Sequence, residues 1–383
     1  MENDNGMLVN RILSEKEKSS RQINDMNVLI EQMRGNSGLL KLAQKMPAGK
    51  AQTSRQSLSS KGPGGGSTAY SSLEGSFTGS SLPNAAVHAA RAHDGSDIYG
   101  VCYTRDGQRL ATCSSDGLVK VWSSKSLERA VCELRGNGTA FMDVDWSDGN
   151  IIAGGVDGCV HMWDSNTQRI KHKMTGHKQK VLTVKFCTTG KAVISGSSDR
   201  TIKLWDTKTG YVTRTIDCTS VCNSVDLSPD GVTLVSGHQD GSIRSWDIRT
   251  GARAHEVRDV HKMPVAHVQF SYQGTAGPSN LLMSSCRDNK IRVFDSISME
   301  LVREFGDSSF RVPTNSASAS FSPDALYCCA GSSDGALHIW DVTTGKSVRV
   351  MKKHNTAVHA CVWRPDGKQV VTVDKKGYCV LWE

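Results

Sequence analysis

His177, Ser195 and Asp199 lie within one short stretch and are the residue types of a nucleophile set, a serine activated by a histidine that a carboxylate orients. Hydrolysis would also need a strained turn presenting the serine and nearby donors for an oxyanion, and the stretch shows neither. Parts of the set recur along the chain, as His93 with Asp116 and as His354 near the end. Recurrence points to a repeated folding unit rather than to one reaction centre, and an enzyme using His177 and Ser195 stands as the competing reading. The chain has no phosphate-cradling Gly loop with its Lys, no His-Glu-x-x-His and no recognisable carboxylate pair. Its twelve cysteines all follow residue 100 without any Cys-x-x-Cys; Cys218 and Cys222 are four apart and Cys328 and Cys329 adjacent. We expect reduced core thiols, no catalytic residue, no metal and no cofactor.

The stretch from Gly176 to Asp206 holds three short β-rich runs bounded by Gly, Ser, Thr or Asp, and ends in Trp205-Asp206. Alone it cannot bury its apolar faces. The closing pair recurs as Trp122-Ser123, Trp163-Asp164, Trp246-Asp247, Phe294-Asp295, Trp340-Asp341 and Trp382-Glu383, at spacings of 41, 42, 41, 48, 46 and 42 residues with Trp205 included. That period, with a Gly-His opening and a Trp-Asp close, is the signature of WD-repeat propeller blades. Six residues before each of the first six aromatics stands an aspartate: Asp116, Asp157, Asp199, Asp240, Asp288 and Asp334. The fold class is therefore all-β, a seven-bladed WD-repeat propeller over 85–383. The last copy stops at its aromatic, so the segment around Ala85 to Arg91 is expected to donate the missing outer strand.

In WD-repeat proteins the His, hydroxyl, Asp and Trp positions form a buried network, and an unpaired partner there costs about 1–3 kcal/mol. The second, fourth and sixth copies lack the Gly-His opening, the fifth has Phe294 for Trp, and the seventh has Asp374 two residues early with Lys376 at the turn. These copies are expected to be softer, held by packing more than by polar pinning. Phe310, in the long connection into the sixth copy, either binds a partner or folds back on the rim.

Before the repeats, residues 1–46 carry a seam at Val9, Ile12, Lys16, Ser19, Ile23, Met26, Ile30 and Met33, the spacing of a coiled-coil helix. So narrow an apolar stripe needs a partner helix, most simply a second copy in a homodimer; a marginal surface helix or disordered leader is the alternative. Residues 47–84 are Gly/Ser-rich, a flexible linker. Within it Tyr70-Ser71-Ser72-Leu73 resembles the short motif that binds Atg8-type modifiers as an added strand. The formal net charge of +8 is spread through the chain, short of a nucleic-acid footprint but compatible with an acidic partner or an anionic membrane surface. With no signal peptide and no long apolar run, a cytoplasmic location is expected. On the propeller face formed by the leading loops and the aspartate turns we expect Lys178, Lys180, Asn223, Gln239 and Arg287 to meet a partner.

The tracts Ser195–Asp206, Ser236-Gly-His-Gln-Asp240, Ile243–Arg249, Ser285-Cys-Arg-Asp288, Val370–Gly377 and Val380-Leu-Trp382 resemble the propeller of the autophagy-related protein 16 family. Leu8-Val9-x-Arg11, Glu15-Lys16 and Asn24-x-Met26-Asn27 resemble the end of that family's coiled coil. The resemblance implies a non-catalytic scaffold that supports conjugation of Atg8-type modifiers to membrane lipid at the forming autophagosome. It also implies contact with the autophagy-related protein 5–12 conjugate, although the family's upstream helix for protein 5 is not found in this sequence. Two competitors remain: a substrate receptor of a cullin ubiquitin ligase, from Trp246-Asp247-Ile248-Arg249, and a generic WD-repeat scaffold. A phosphoinositide-binding Phe-Arg-Arg-Gly is absent; Phe310-Arg311-Val312 does not supply it.

Overall fold

A computed structural model describes residues 79–147, 149–271 and 280–383. The coiled-coil seam, Tyr70 and Leu73 lie outside the described residues. The strands follow the apolar alternation in the sequence. After β1 (Ala86–Arg91), blade 1 is β2 (Ile98–Tyr103), β3 (Arg109–Ser114), β4 (Leu118–Ser123) and β5 (Cys132–Arg135). Blade 2 is β6 (Phe141–Ser147), β7 (Asn150–Gly155), β8 (Cys159–Asp164) and β9 (Ile170–Thr175). Blade 3 is β10 (Val181–Phe186), β11 (Ala192–Ser197), β12 (Thr201–Asp206) and β13 (Val212–Asp217). Blade 4 is β14 (Cys222–Leu227), β15 (Thr233–His238), β16 (Ile243–Asp247) and β17 (Arg253–Val257). Blade 5 is β18 (Val265–Phe270), β19 (Leu281–Cys286), β20 (Lys290–Asp295) and β21 (Leu301–Phe305). Blade 6 is β22 (Ala319–Phe321), β23 (Tyr327–Gly331), β24 (Ala336–Asp341) and β25 (Ser347–Lys352). Blade 7 takes β26 (Val358–Trp363), β27 (Val370–Asp374) and β28 (Tyr378–Trp382).

Each blade is a four-stranded antiparallel meander, and the seventh is completed by β1 in the order β1-β28-β27-β26. The pairing runs Ala86↔Trp382 to Arg91↔Tyr378. A strap ahead of β1 belongs to the same closure: Asn84 N–H and Ala85 N–H donate to Glu383 O (2.6 and 2.9 Å), and Ser81 N–H to Gly367 O (2.9 Å). Ser80 N–H donates to the buried carboxylate of Asp324 in blade 6 (2.8 Å). Residues 80–84, at the end of the Gly/Ser-rich stretch read as linker, are thus tied to blades 6 and 7.

The apolar core lies between blades rather than at one centre. Ile152, Val160, Met162 and Met174 of blade 2 pack with Val181, Val184, Phe186, Val193 and Trp205 of blade 3. Burying one such Trp removes about 150–250 Å² from water, of order 4–6 kcal/mol before entropy is counted. Around the central channel, side chains of one inner strand accept backbone N–H groups of the next. Asp143 and Asp145 take Val184 and Phe186 (2.9 and 2.7 Å), Asp226 takes Phe270 (2.8 Å), and Gln269 takes Phe321 (2.8 Å).

Removing residues 85–91 leaves β28 as an unpaired edge and should lower and broaden the thermal transition by calorimetry. A midpoint and width equal to those of the full chain would rule out β1 as a stability determinant.

Candidate functional site

His177 precedes β10, Ser195 sits in β11, Asp199 in the turn to β12, and Trp205 near the end of β12. His177 Nδ1 is 3.0 Å from Asp199 Oδ2 and its Nε2 2.7 Å from Ser195 Oγ, while Trp205 Nε1–H donates to Ser195 Oγ at 2.7 Å. With Nδ1–H given to the carboxylate, Nε2 accepts the serine proton, and the serine oxygen accepts from the indole. Ser195 and Trp205 are 0% exposed, and so is the His177 side chain. A nucleophile must reach its substrate; this hydroxyl is sealed behind a tryptophan that uses its oxygen. Burial pushes the Asp199 carboxyl up, but Lys178 N–H, the Thr201 hydroxyl and His177 outweigh it and bring it down to about 2. Burial also depresses the His177 imidazole, against the raising pull of Asp199.

The same arrangement recurs twice. His93 lies 2.7 Å from Asp116 and 2.9 Å from Thr112 Oγ1, which accepts from Trp122 Nε1–H at 3.0 Å. In blade 7 His354 lies 3.0 Å from Asp374 and 2.7 Å from Thr372, and Trp382 Nε1–H donates to Thr372 at 2.8 Å. The expectation of a weakly pinned seventh blade is therefore corrected. Asp374 reaches His354 from the end of β27, so the carboxylate has moved without leaving the network.

Blades 4 and 5 are also polar-pinned, by a different route. His238 comes from β15 itself, with Nε2 2.8 Å from Ser236 Oγ, which accepts Trp246 Nε1–H at 2.7 Å. Burial pushes His238 down to about 4. Arg244, 1% exposed, donates to Asp240 and Glu256, both at 2.7 Å. In blade 5 His261 Nε2 lies 2.6 Å from Ser284 Oγ, and Arg292 donates to His261 Nδ1 (2.5 Å) and Asp288 (2.6 Å) beneath Phe294. His261, Cys286 and Asp288 bring ligand atoms within 4.8 Å of one another. The Arg292 guanidinium already supplies the cation there, so an ion pair, not a metal site, fits these donors.

Blades 2 and 6 use aromatic packing. The β-sheet position that holds Ser195 in blade 3, opposite Lys203, holds Ala153 opposite His161 and Ala330 opposite His338. In both blades a phenylalanine fills the site where the leading-loop histidine would lie. Phe141 meets His161 and Trp163 edge-on at 5.2 and 5.6 Å, with the latter two stacked at 5.7 Å. Phe310 meets His338 and Trp340 at 5.3 and 5.0 Å, and those two stack at 5.5 Å. Phe310 is buried, so it packs the blade and is not a partner contact. Asp157 still binds Asn137 (2.7 Å) and His161 (3.2 Å), whereas both ring nitrogens of His338 and the Trp340 indole N–H are buried without partners and Asp334 is exposed. Of the copies expected to be soft, only blade 6 is left without a polar pin. The readable signal for all three modes is the residue two before each closing aromatic: Lys, His, Lys, Arg, Arg, His, Val.

On the outer face, Lys178, Lys180 and Gln239 are exposed. Asn223 is 3% exposed, and its amide donates to Val265 O (2.8 Å) and Gln239 (3.4 Å), so it is corrected to an internal tie. Arg287 is half-buried and donates to Val312 O, holding the long blade 6 loop; it too is corrected from partner contact to support. The central channel holds a cavity of about 60 Å³ lined by Tyr99, Asp143, Lys185, Asn223, His267 and Gln269, and a second of about 120 Å³ lies at Arg105, Lys185 and Asp226. Both are below the roughly 300–1,000 Å³ of ligand pockets. Burial outweighs Lys185 and the backbone donors in the channel and pushes Asp143 and Asp226 up to about 6.

A family model described as the IFT122 first beta-propeller matches residues 133–383, and one described as WD domain, G-beta repeat matches 85–123. Autophagy-related protein 16 of Arabidopsis thaliana is 32% identical over 389 residues, covering 100% of this chain and 71% of that protein. Protein tipD of Dictyostelium discoideum is 33% identical over 395 residues, covering 100% of this chain and 62% of that one. Protein Atg16l2 of Mus musculus is 34% identical over 312 residues, 79% of this chain and 47% of that protein.

Two substitutions test the pins in opposite directions. Ser195→Ala strands His177 and Trp205 and should cost about 1–3 kcal/mol, whereas Ala330→Ser offers Trp340 and His338 a partner and should add about 0.5–1.5 kcal/mol. Chemical denaturation reads both; equal signs would overturn the assignment. Asp226 has a folded value of about 6, above its ordinary 3.8. It therefore contributes stability below about pH 3.8 that is lost as pH rises through about 6. Asp226→Asn removes that loss, so its stability relative to the parent should rise between about pH 4 and about pH 7.5. Parallel profiles would contradict the enclosed carboxyl.

Proposed function

Because the chain belongs to the autophagy-related protein 16 family of WD-repeat propellers, we propose that it is a non-catalytic scaffold of autophagy that supports conjugation of Atg8-type modifiers to membrane lipid. The observation that carries the non-catalytic reading is the sealed Ser195, held between His177 and Trp205 in an arrangement used again in blades 1 and 7. A group repeated around a ring to pin strands has a structural task in each copy. The face bearing exposed Lys178 and Lys180 suits protein partners with acidic segments.

The finer parts of the proposal follow from the resemblance. The scaffold joins the autophagy-related protein 5–12 conjugate, pairs with a second copy through Val9, Ile12, Ile23, Met26, Ile30 and Met33, and works in the cytoplasm, peripherally at forming autophagosome membranes. Tyr70 and Leu73 offer an Atg8-type modifier a short extended motif. Among the described residues no helix is long and apolar enough to cross a membrane.

Affinity capture of the full chain from its own cells tests this directly. Recovery of the protein 5–12 conjugate and a lipidated Atg8-type modifier is expected, and a second, differently tagged copy should come with them. Capture that returns neither conjugate nor modifier would overturn the scaffold proposal. Return of the conjugate without the second copy would remove only the homodimer.

A further inference from the structure

In blades 1 to 6 the residue six before the closing aromatic is an aspartate; in blade 7 it is Lys376. The network survives this exchange because Asp374 supplies the carboxylate from inside β27, 3.0 Å from His354, and is itself 1% exposed. The turn beyond it is free to carry Lys375 and Lys376, both exposed.

The turn is held firmly. Lys376 N–H and Tyr378 N–H donate to Asp374 Oδ1 (2.9 and 2.8 Å), and Lys375 N–H donates to Ala357 O (3.0 Å) in the loop that carries exposed Lys353. On the other side His93 N–H and Ala92 N–H donate to Gly377 O (3.1 and 2.7 Å). Gly377 has φ +84°, and a Cβ there would stand 1.9 Å from His93 O, so the turn sits hard against blade 1. Directly after it Tyr378 is 43% exposed and pairs across the strands with exposed Arg91. Arg91, Lys353, Lys375 and Lys376 make no ion pair among the described residues. Opposing them, Asp94 is exposed and Asp97 half-buried on the blade 1 loop, with Asp97 accepting from Tyr99 O–H at 3.3 Å; they mark the acidic border of the patch. The result is a rigid turn presenting unpaired cations beside an exposed aromatic ring.

We propose that the top of blade 7, centred on Lys375, Lys376 and Tyr378 with Arg91 and Lys353, is a docking site for an acidic peptide segment of a protein partner. It rests on the scaffold reading and names one surface for it. Four unpaired cations against two carboxylates favour a ligand that brings excess negative charge. The exposed ring favours one with an aromatic or aliphatic side chain among its carboxylates. The border at Asp94 and Asp97 gives the bound segment a direction, acidic over the turn and neutral or basic toward blade 1.

The full chain should be titrated against a fluorescein-labelled peptide of alternating Glu and Gly with one Phe, and against phosphatidylcholine vesicles containing phosphatidylserine. Lys375→Glu with Lys376→Glu should weaken peptide binding about tenfold, the scale of a few exposed charge contacts, and added salt should weaken it further. Lys191→Glu with Lys208→Glu, the same charge change on blade 3, should weaken it distinctly less. Thermal midpoints of both variants should match the parent, since none of the four side chains is buried. Tyr378→Ser should lower affinity for the Phe peptide more than for its all-Gly counterpart. Unchanged peptide affinity in the blade 7 variant would overturn the site, as would equal losses in both charge variants. Loss of vesicle binding with peptide affinity intact would assign the patch to lipid and overturn it too. If the blade 7 variant fails these tests while capture still returns the protein 5–12 conjugate, only this inference falls.

Discussion

The two ends of the repeat region share one sheet: β1 completes blade 7 by pairing along β28 from Ala86↔Trp382 to Arg91↔Tyr378. A ring of blades depends on this pairing, because each apolar layer lies between two neighbours and a ring left open exposes both faces of one such layer and an unpaired edge. The strap extends it beyond the strand ends, with Glu383 O taking two N–H groups and Asp324 of blade 6 taking Ser80 N–H. The strap also joins blade 7 to blade 6, the neighbour whose polar pin is missing. Support there comes from backbone bonds and from Cys361 N–H and Trp363 N–H donated to Ser318 and Ser320.

Within each blade the recurring difficulty is a bulky aromatic buried at the end of the third strand. A buried indole N–H needs an acceptor, and the second-strand residue opposite the one two before the aromatic decides how the blade is pinned. Where that residue is Thr112, Ser195 or Thr372, a leading-loop histidine and an aspartate orient the hydroxyl. Where Ser236 or Ser284 stands opposite an arginine, the aspartate moves to the guanidinium; the histidine on the serine comes from β15 in blade 4 and from the leading loop in blade 5, where the aromatic is Phe294 and has no N–H to satisfy. Where it is Ala153 or Ala330, the polar network has no centre and a phenylalanine occupies the space. These are alternative minima of one packing problem, and each is self-consistent across several residues. A single substitution falls between them, which leaves a donor or a ring without its counterpart.

The blade count, the donated outer strand and the pins of blades 1 and 3 were legible in the sequence, because Trp-Asp, Gly-His and the turn aspartate repeat at a fixed period. The pins of blades 4 and 5 were not, because the Gly237-His238 pair ends the second strand instead of opening the copy, His261 follows Val260, and the arginines lie in an alternating strand where any polar residue looks solvated. Only the register, Ser236 opposite Arg244 and Ser284 opposite Arg292, shows that those side chains turn inward. Asn223 and Arg287 were misread for a related reason. Each sits on a loop-proximal position that is exposed in an isolated blade, and each is covered when its neighbour arrives. Phe310 could be placed only once the blade 6 loop was seen to fold back over Trp340.

The pins also separate what must be kept from what can vary. The donors and acceptors that hold a blade point inward, while the next residue in the same turn points to solvent, so the face can change charge at little cost to the fold. Lys178 shows one version: its N–H binds Asp199 at 2.9 Å while its side chain is exposed. Blade 7 shows a larger version, where moving the carboxylate to Asp374 turns an acidic turn into a basic one with His354 and Trp382 still satisfied. Had the lysines simply replaced the turn aspartate, His354 Nδ1 would be buried without its carboxylate, a loss of about 1–3 kcal/mol. The displaced aspartate is therefore what permits the cations. The departure from the repeat at Asp374 is a compensated change in surface chemistry, and it is confined to the blade where the two ends of the repeat region meet.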